Sequence, residues 1–150
     1  MTVGPFPVST AIARLRSHAP ALLAVGSAAD LTTALAQQPR VAISAYVTAA
    51  EVGRAIKYTG PLAIQNCDVT LRVVLFVRHY GDEQTGGGAR SQMDEEVIPQ
   101  VRAALFGWAP VDAFDALSFQ AGRDESYTAG WLVSQQVFGT NYRMSHQVIP

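Results

Sequence analysis

Residues 62–80 read LAIQNCDVTLRVVLFVRHY, a stretch with neither glycine nor proline, and no other segment restricts the fold as much. Val69, Leu71, Val73, Leu75 and Val77 alternate with Asp68, Thr70 and Arg72 until Val74 and Phe76 replace the polar set. Period-two alternation of β-branched and aromatic residues is the pattern of a strand. An apolar middle on both sides requires that this strand be central and covered on both faces. At about 3.3 Å per residue the segment would reach roughly 60 Å, well beyond a common strand. A bend or bulge and an overhanging end are therefore expected.

The remaining elements arrange themselves around that strand. After Pro7, VSTAIARLRSH places Val8, Ile12 and Leu15 at helical spacing. ALLAVG is a brief extended piece, and Ser27 to Asp30 has the spacing of a capping box ahead of LTTALAQQ, which Pro39 stops. VAISAYV (41–47) reads as a strand, whereas 48–61, TAAEVGRAIKYTGP, loses periodicity and reads as a long exposed loop. Beyond the central strand, Val97, Ile98, Val101, Ala104, Leu105 and Trp108 share one face of a helix that Pro99 should kink or begin. Past Pro110, ALSFQAG and GWLVSQQVFGTNYRM read as a hairpin turning around RDESYTA. The order predicts an α+β fold: a mainly antiparallel sheet of about four strands, helices packed on one face, a long central strand and extended loops. At 150 residues the chain is expected to form one domain, 1–150, burying roughly 70% of its unfolded surface.

Composition narrows the class of partner. Eleven Lys plus Arg against twelve Asp plus Glu give a formal charge of −1, which does not suit a polyanion as the main ligand. Charged residues are 15% of the chain, against roughly 25% in ordinary domains, while apolar residues reach 49%. So sparse a charge favours a surface partly buried against other chains over a compact, slightly hydrophobic monomer. Cys67 is the only cysteine, so no internal disulfide can form and a reducing compartment is expected. Arg14, Arg16 and His18 interrupt the first apolar stretch, which does not read as a secretory signal, and no apolar run approaches the roughly 18 residues that span a bilayer.

QTGGGARS (84–91) follows the central strand and precedes a helix, the setting of a phosphate cradle. It fails both phosphate patterns: Ala89 and Arg90 stand where a P-loop has lysine and a hydroxyl residue, and the glycines lack dinucleotide spacing. Ser91 to Asp94 has capping-box spacing, with Asp94, Glu95 and Glu96 placing acids at the helix's positive end, so a mobile glycine arm is the preferred reading. Cys67 and His79 are about 40 Å apart along a strand and do not form a nucleophile and base unless the chain folds back, so Cys67 is read as a buried structural thiol. His18, His79 and His146 occur singly, without metal-ligand spacing. Asp112, Asp115, Asp124 and Glu125 fall in connectors or turns, where carboxylates cap or solvate. No catalytic cluster, cofactor or metal is expected.

VGSAADLTTAL, QNCDVTLRVVLFVRHYGD, VRAALFGWAP and GWLVSQQVFGTNYRM, in that order, make the chain resemble the phage tail terminator, or tail completion, proteins over nearly its whole length. The resemblance implies a non-enzymatic virion subunit, assembled in the host cytoplasm, that forms a six-membered ring on the head-proximal end of the tail. Its implied partners are sister copies, the tail tube protein, the head connector or stopper and, where the tail contracts, the sheath. DNA would only pass through the lumen, and no membrane is involved. Closed rings need two different complementary patches. The candidates are Arg54, Lys57 and Tyr58 on one arm and Asp82, Glu83, Gly86, Gly87, Gly88 and Arg90 on the other. Two alternatives stand beside this: another neck ring such as a stopper, and a small enzyme or ligand-binding domain using the glycine loop.

Overall fold

The computed structural model describes residues 3–80 and 87–148. Six strands form one sheet: β1 (Ala24–Gly26), β2 (Ile43–Gly53), β3 (Lys57–Thr59), β4 (Leu62–Arg78), β5 (Ser118–Thr128) and β6 (Trp131–Gln147). Their order is β1-β2-β4-β6-β5, with β3 paired to the start of β4. Every pairing is antiparallel except β1 with β2. The fold is the α+β class read from the sequence, with two more strands than expected.

The central strand is β4, and it carries no bulge. It pairs with β6 in one register from Leu62↔Gln147 to Arg78↔Trp131 and with β2 from Gly53↔Cys67 to Ile43↔Val77. The irregularities lie in β5, between Phe119 and Ala121 and between Asp124 and Ser126. An extra residue in β4 would interrupt ladders on two sides, whereas edge strand β5 has one ladder to disturb.

Three helical rods complete the fold. Helix α1 (Val8–His18) buries Ala11, Ile12 and Leu15 as its spacing predicts. Helix α2 (Ala28–Gln37) starts at Ser27, whose N–H donates to the Asp30 carboxylate at 2.8 Å, the capping box read from the sequence. The third rod joins α3 (Gly87–Gln92) to α4 (Ile98–Leu105) through a π-helical turn at Met93–Val97. Pro99 provides the physical reason for the turn. Its ring would meet the carbonyl four residues back in a regular helix, and the wider turn, in which Ile98 N–H reaches Met93 O, relieves that crowding. Ser91 is thus inside the rod and caps nothing, and Asp94–Glu96 lie in its middle, not in its first turn as expected.

The main core lies between the sheet and the α1 and α3–α4 rods. Leu71, Val73, Leu75 and Val77 from β4 meet Ala45 and Val47 from β2, Phe138 from β6, Leu15 from α1 and Val97, Val101 and Leu105 from the third rod. Pleating sends the alternate residues the other way. Tyr46, Val74, Phe76, Trp131 and Val133 form a smaller cluster that Leu31 and Ala34 of α2 cover. Its rings meet edge to face, Tyr46 on Phe76 at 5.5 Å and Phe76 on Trp131 at 6.3 Å. The two-sided burial read from Val74 and Phe76 is therefore present.

Two segments differ from the sequence reading. Residues 48–61 are mostly strand: β2 continues to Gly53, β3 follows, and Gly60 (φ 59°) and Pro61 turn the chain into β4. Exposed on both faces, these strands lack the apolar alternation that marks a half-buried one. The carboxy-terminal hairpin turns at Ala129 and Gly130, with φ of 54° and 84°, and not around RDESYTA. Positive φ at both central residues suits the right-handed twist of a two-residue hairpin. RDESYT belongs to β5, whose whole length is exposed, so polar side chains carry no burial penalty there.

Candidate assembly surfaces

The helices cover only one end of the long strands. After Val47 in β2, before Cys67 in β4 and after Tyr142 in β6, side chains are mostly half-buried or exposed. These three strand ends and β3 form a blade projecting beyond the helix layer. Exposed apolar residues collect on it: Val52, Ile56, Tyr58 and Val148, with Val3 of the amino-terminal segment beside Ile56, Ala63 and Met144 in a shallow groove.

Arg54, Lys57 and Tyr58 all stand on this blade. Arg54 marks the jog between β2 and β3, where its N–H donates to Asn66 O and its carbonyl accepts from the Gln65 amide at 2.7 Å. Its guanidinium donates to the Asp68 carboxylate at 2.7 Å, and that hydrogen bond raises the arginine's pKa further above its ordinary value. Lys57 and Tyr58 form β3 and are exposed, Tyr58 to 65%.

Arg90 lies far from them, on α3, where it binds Asp94 one turn along and Asp124 of β5. These carboxylates raise its pKa, Asp94 most. The pair to Asp124 fastens the third rod to the edge strand. Gly87 and Gly88 are the first turn of α3, and a Cβ on Gly88 would run into the His79 imidazole. Gly88 lies within α3 close against the His79 ring, in place of the free swing read from the sequence. Asp82, Glu83 and Gly86 lie outside the described residues. Lys57 and Tyr58 pair with Ile64 and Ala63. Arg90, through Asp124 and its partner Ser134, sits level with Leu75, so about 30 Å of strand divides it from Arg54 and up to about 40 Å from Lys57 and Tyr58. Arg90 does not meet these three within one chain.

Within the helix-covered half lies a polar contact that sequence reading missed. Arg102 of α4 donates to the buried Gln136 side chain at 3.0 Å and stacks over Phe119 at 4.3 Å. Gln136 was hidden in the polar run SQQ, where only its even spacing from Phe138 and Ser134 marked it as inward-facing. Nearer the blade, Cys67 is 4% exposed and lies beside Glu51. Burial first, then the neighbouring Glu51 and Cys67, pushes the Tyr142 phenol well above its ordinary pKa. Cys67 lies in the first half of β4, and His79 follows directly after its last residue, Arg78. Among the described residues no three His, Cys, Asp or Glu side chains gather to hold a metal ion, and no helix is long and apolar enough to cross a membrane.

The family model described as phage tail terminator protein matches residues 1–148, and the chain belongs to that family. Its role is accordingly a structural one in the phage tail, among other tail proteins. No curated protein matches the chain.

Proposed function

We propose that this chain is a single-domain subunit of a ring that caps the head-proximal end of the tail tube. The ring ends tube polymerisation, and sheath polymerisation where a sheath exists, and offers a docking face to the head connector. The observation that carries this reading is the uncovered blade: three long strands keep their hydrogen-bonded register past the last helix, and Val52 of β2, Ile56 of the connection and Tyr58 of β3 are exposed there. An isolated subunit gains nothing from such an extension, whereas a neighbouring shell can cover it. Sparse charge suits the same role, since a lumen that passes DNA must not hold it through phosphate contacts.

Tube elongation in vitro tests the proposal. Purified subunits added at a small molar excess over tube ends should halt growth, and negative-stain images should show rings at one end only. Continued growth to control lengths in the presence of the protein would refute capping.

A further inference from the structure

The sheet has two open edges, and they are built differently. β5 is exposed throughout and carries irregularities at Gln120 and Glu125 together with Arg123 and Asp124, devices that discourage an edge from pairing with its own kind. β2 is covered by β1 only at Ser44–Tyr46. Past Val47 it presents Thr48, Ala49, Ala50, Glu51, Val52 and Gly53, with no proline, lysine or bulge, in unbroken register with β4.

Backbone geometry shows which groups this edge offers. Arg78 N–H donates to Ala42 O and Arg54 N–H to Asn66 O, both at 2.8 Å. Antiparallel pairing alternates, so even-numbered residues of β2 bond to β4, while Ala49, Glu51 and Gly53 turn N–H and C=O outward. Among the described residues no strand receives them.

We propose that the outer edge of β2 at Val47–Ala50 pairs with β5 at Ser118–Gly122 of a second copy of this chain, joining the sheets of neighbouring subunits. The proposal rests on the ring reading and supplies its lateral contact. Three observations select this occupant. First, β2 and β5 run in opposite directions, since three antiparallel pairings separate them, so copies related by rotation about an axis along the strands meet in antiparallel fashion. Second, the ladders fix their heights. Ala50 is level with Thr70, Gly139 and Ser118; Ala49 is level with Leu71, Phe138 and Phe119; Val47 is level with Val73, Gln136 and Gly122. Third, the defended β5 edge disfavours pairing with another β5, whereas the small side chains of Ala49 and Ala50 leave room beside its bulge. The contact is therefore heterologous, the kind a closed ring requires.

Disulfide trapping tests this directly. In the full chain, Ala50→Cys is combined with Ser118→Cys, both exposed positions, with buried Cys67 retained. Within one chain these positions lie three strand spacings apart, about 14 Å, beyond the roughly 7 Å limit for a disulfide. Across the proposed contact they form a non-hydrogen-bonded pair with Cα atoms about 4.5 Å apart. Mild oxidation should convert most of the double variant to a ladder of covalent multimers on non-reducing gels, with neither single variant doing so. An oligomer by light scattering that gives no ladder overturns the edge contact and leaves the ring reading standing. A protein that stays monomeric at all concentrations and on tube ends overturns both.

A proline pair offers an independent readout. Ala49→Pro removes an outward donor and should raise the concentration needed for assembly at least tenfold with little change in melting temperature. Ala50→Pro removes a rung to β4 and should lower the melting temperature. Wild-type assembly by a folded Ala49→Pro variant would likewise overturn the proposal.

Discussion

The two ends of β2, β4 and β6 are made of the same continuous strands but differ in what surrounds them. At one end Leu71, Val73, Leu75 and Phe138 are fully enclosed between sheet and helices. At the other, Val52 and Tyr58 are 68% and 65% exposed, and the ladders continue without a break. Hydrogen-bond register therefore does not require a core beneath it once several strands share the ladder. The covered end contributes stability by burying apolar surface, and the bare end leaves Val52, Ile56 and Tyr58 exposed.

This contrast is tested most severely at Phe138, which is fully buried and meets Phe119 edge to face at 5.9 Å. Phe138→Ala should cost about 3–5 kcal/mol, as large-to-small core changes do. At this chain length that lowers the melting temperature by about 10 °C by calorimetry. A drop of only a degree or two would mean that the core is less well packed than its burial indicates.

Tyr142 lies where the two ends meet, and pH probes it. Its phenol pKa is raised in the folded protein above the ordinary value of 10.0. The folded state holds the proton more tightly, so this contribution is complete below that value and is lost as pH rises beyond it. Near pH 11 the loss should approach about 1 kcal/mol in urea melts. Tyr142→Phe should flatten that alkaline slope, and an unchanged slope would remove Tyr142 as its source.

Smaller still is the effect of Arg90→Ala. It breaks the exposed pairs to Asp94 and Asp124, and should cost at most about 1 kcal/mol, shrinking further at high salt. At the bare end, Val52→Ser with Tyr58→Ser should leave stability within about 0.5 kcal/mol of wild type by chemical denaturation. The same double variant should weaken capping of tail tubes. Normal capping by it would show that the blade's apolar side chains are dispensable, whereas a large loss of stability would show that the blade belongs to the core.

How far the sequence could be read follows the same division. Alternation in β4, helical spacing in α1 and the Ser27–Asp30 cap were legible because burial on a defined face imprints a period on the chain. β3, the outer half of β2 and most of β5 left no such imprint, since nothing covers them. The π-helical turn was foreshadowed by Pro99, but its placement one turn earlier depended on where the rod could widen. Of the candidate surface residues, Arg54, Lys57 and Tyr58 do stand together. Arg90 is tied to Asp94 and Asp124, and no local pattern connects Arg90 to Asp124 across thirty-four positions.

By itself, the amino-acid order determined that a central strand would be buried on both sides and that helices would flank an antiparallel sheet. Tertiary structure alone decided that the strands continue past their helices, that Gln136 turns inward to Arg102, that Gly88 lies against His79, and that β2 keeps an open edge. Periodicity records which side of an element faces apolar surroundings. How far the covering layer reaches, and which backbone groups remain unpaired, depend on contacts between residues distant along the chain, which no local pattern encodes.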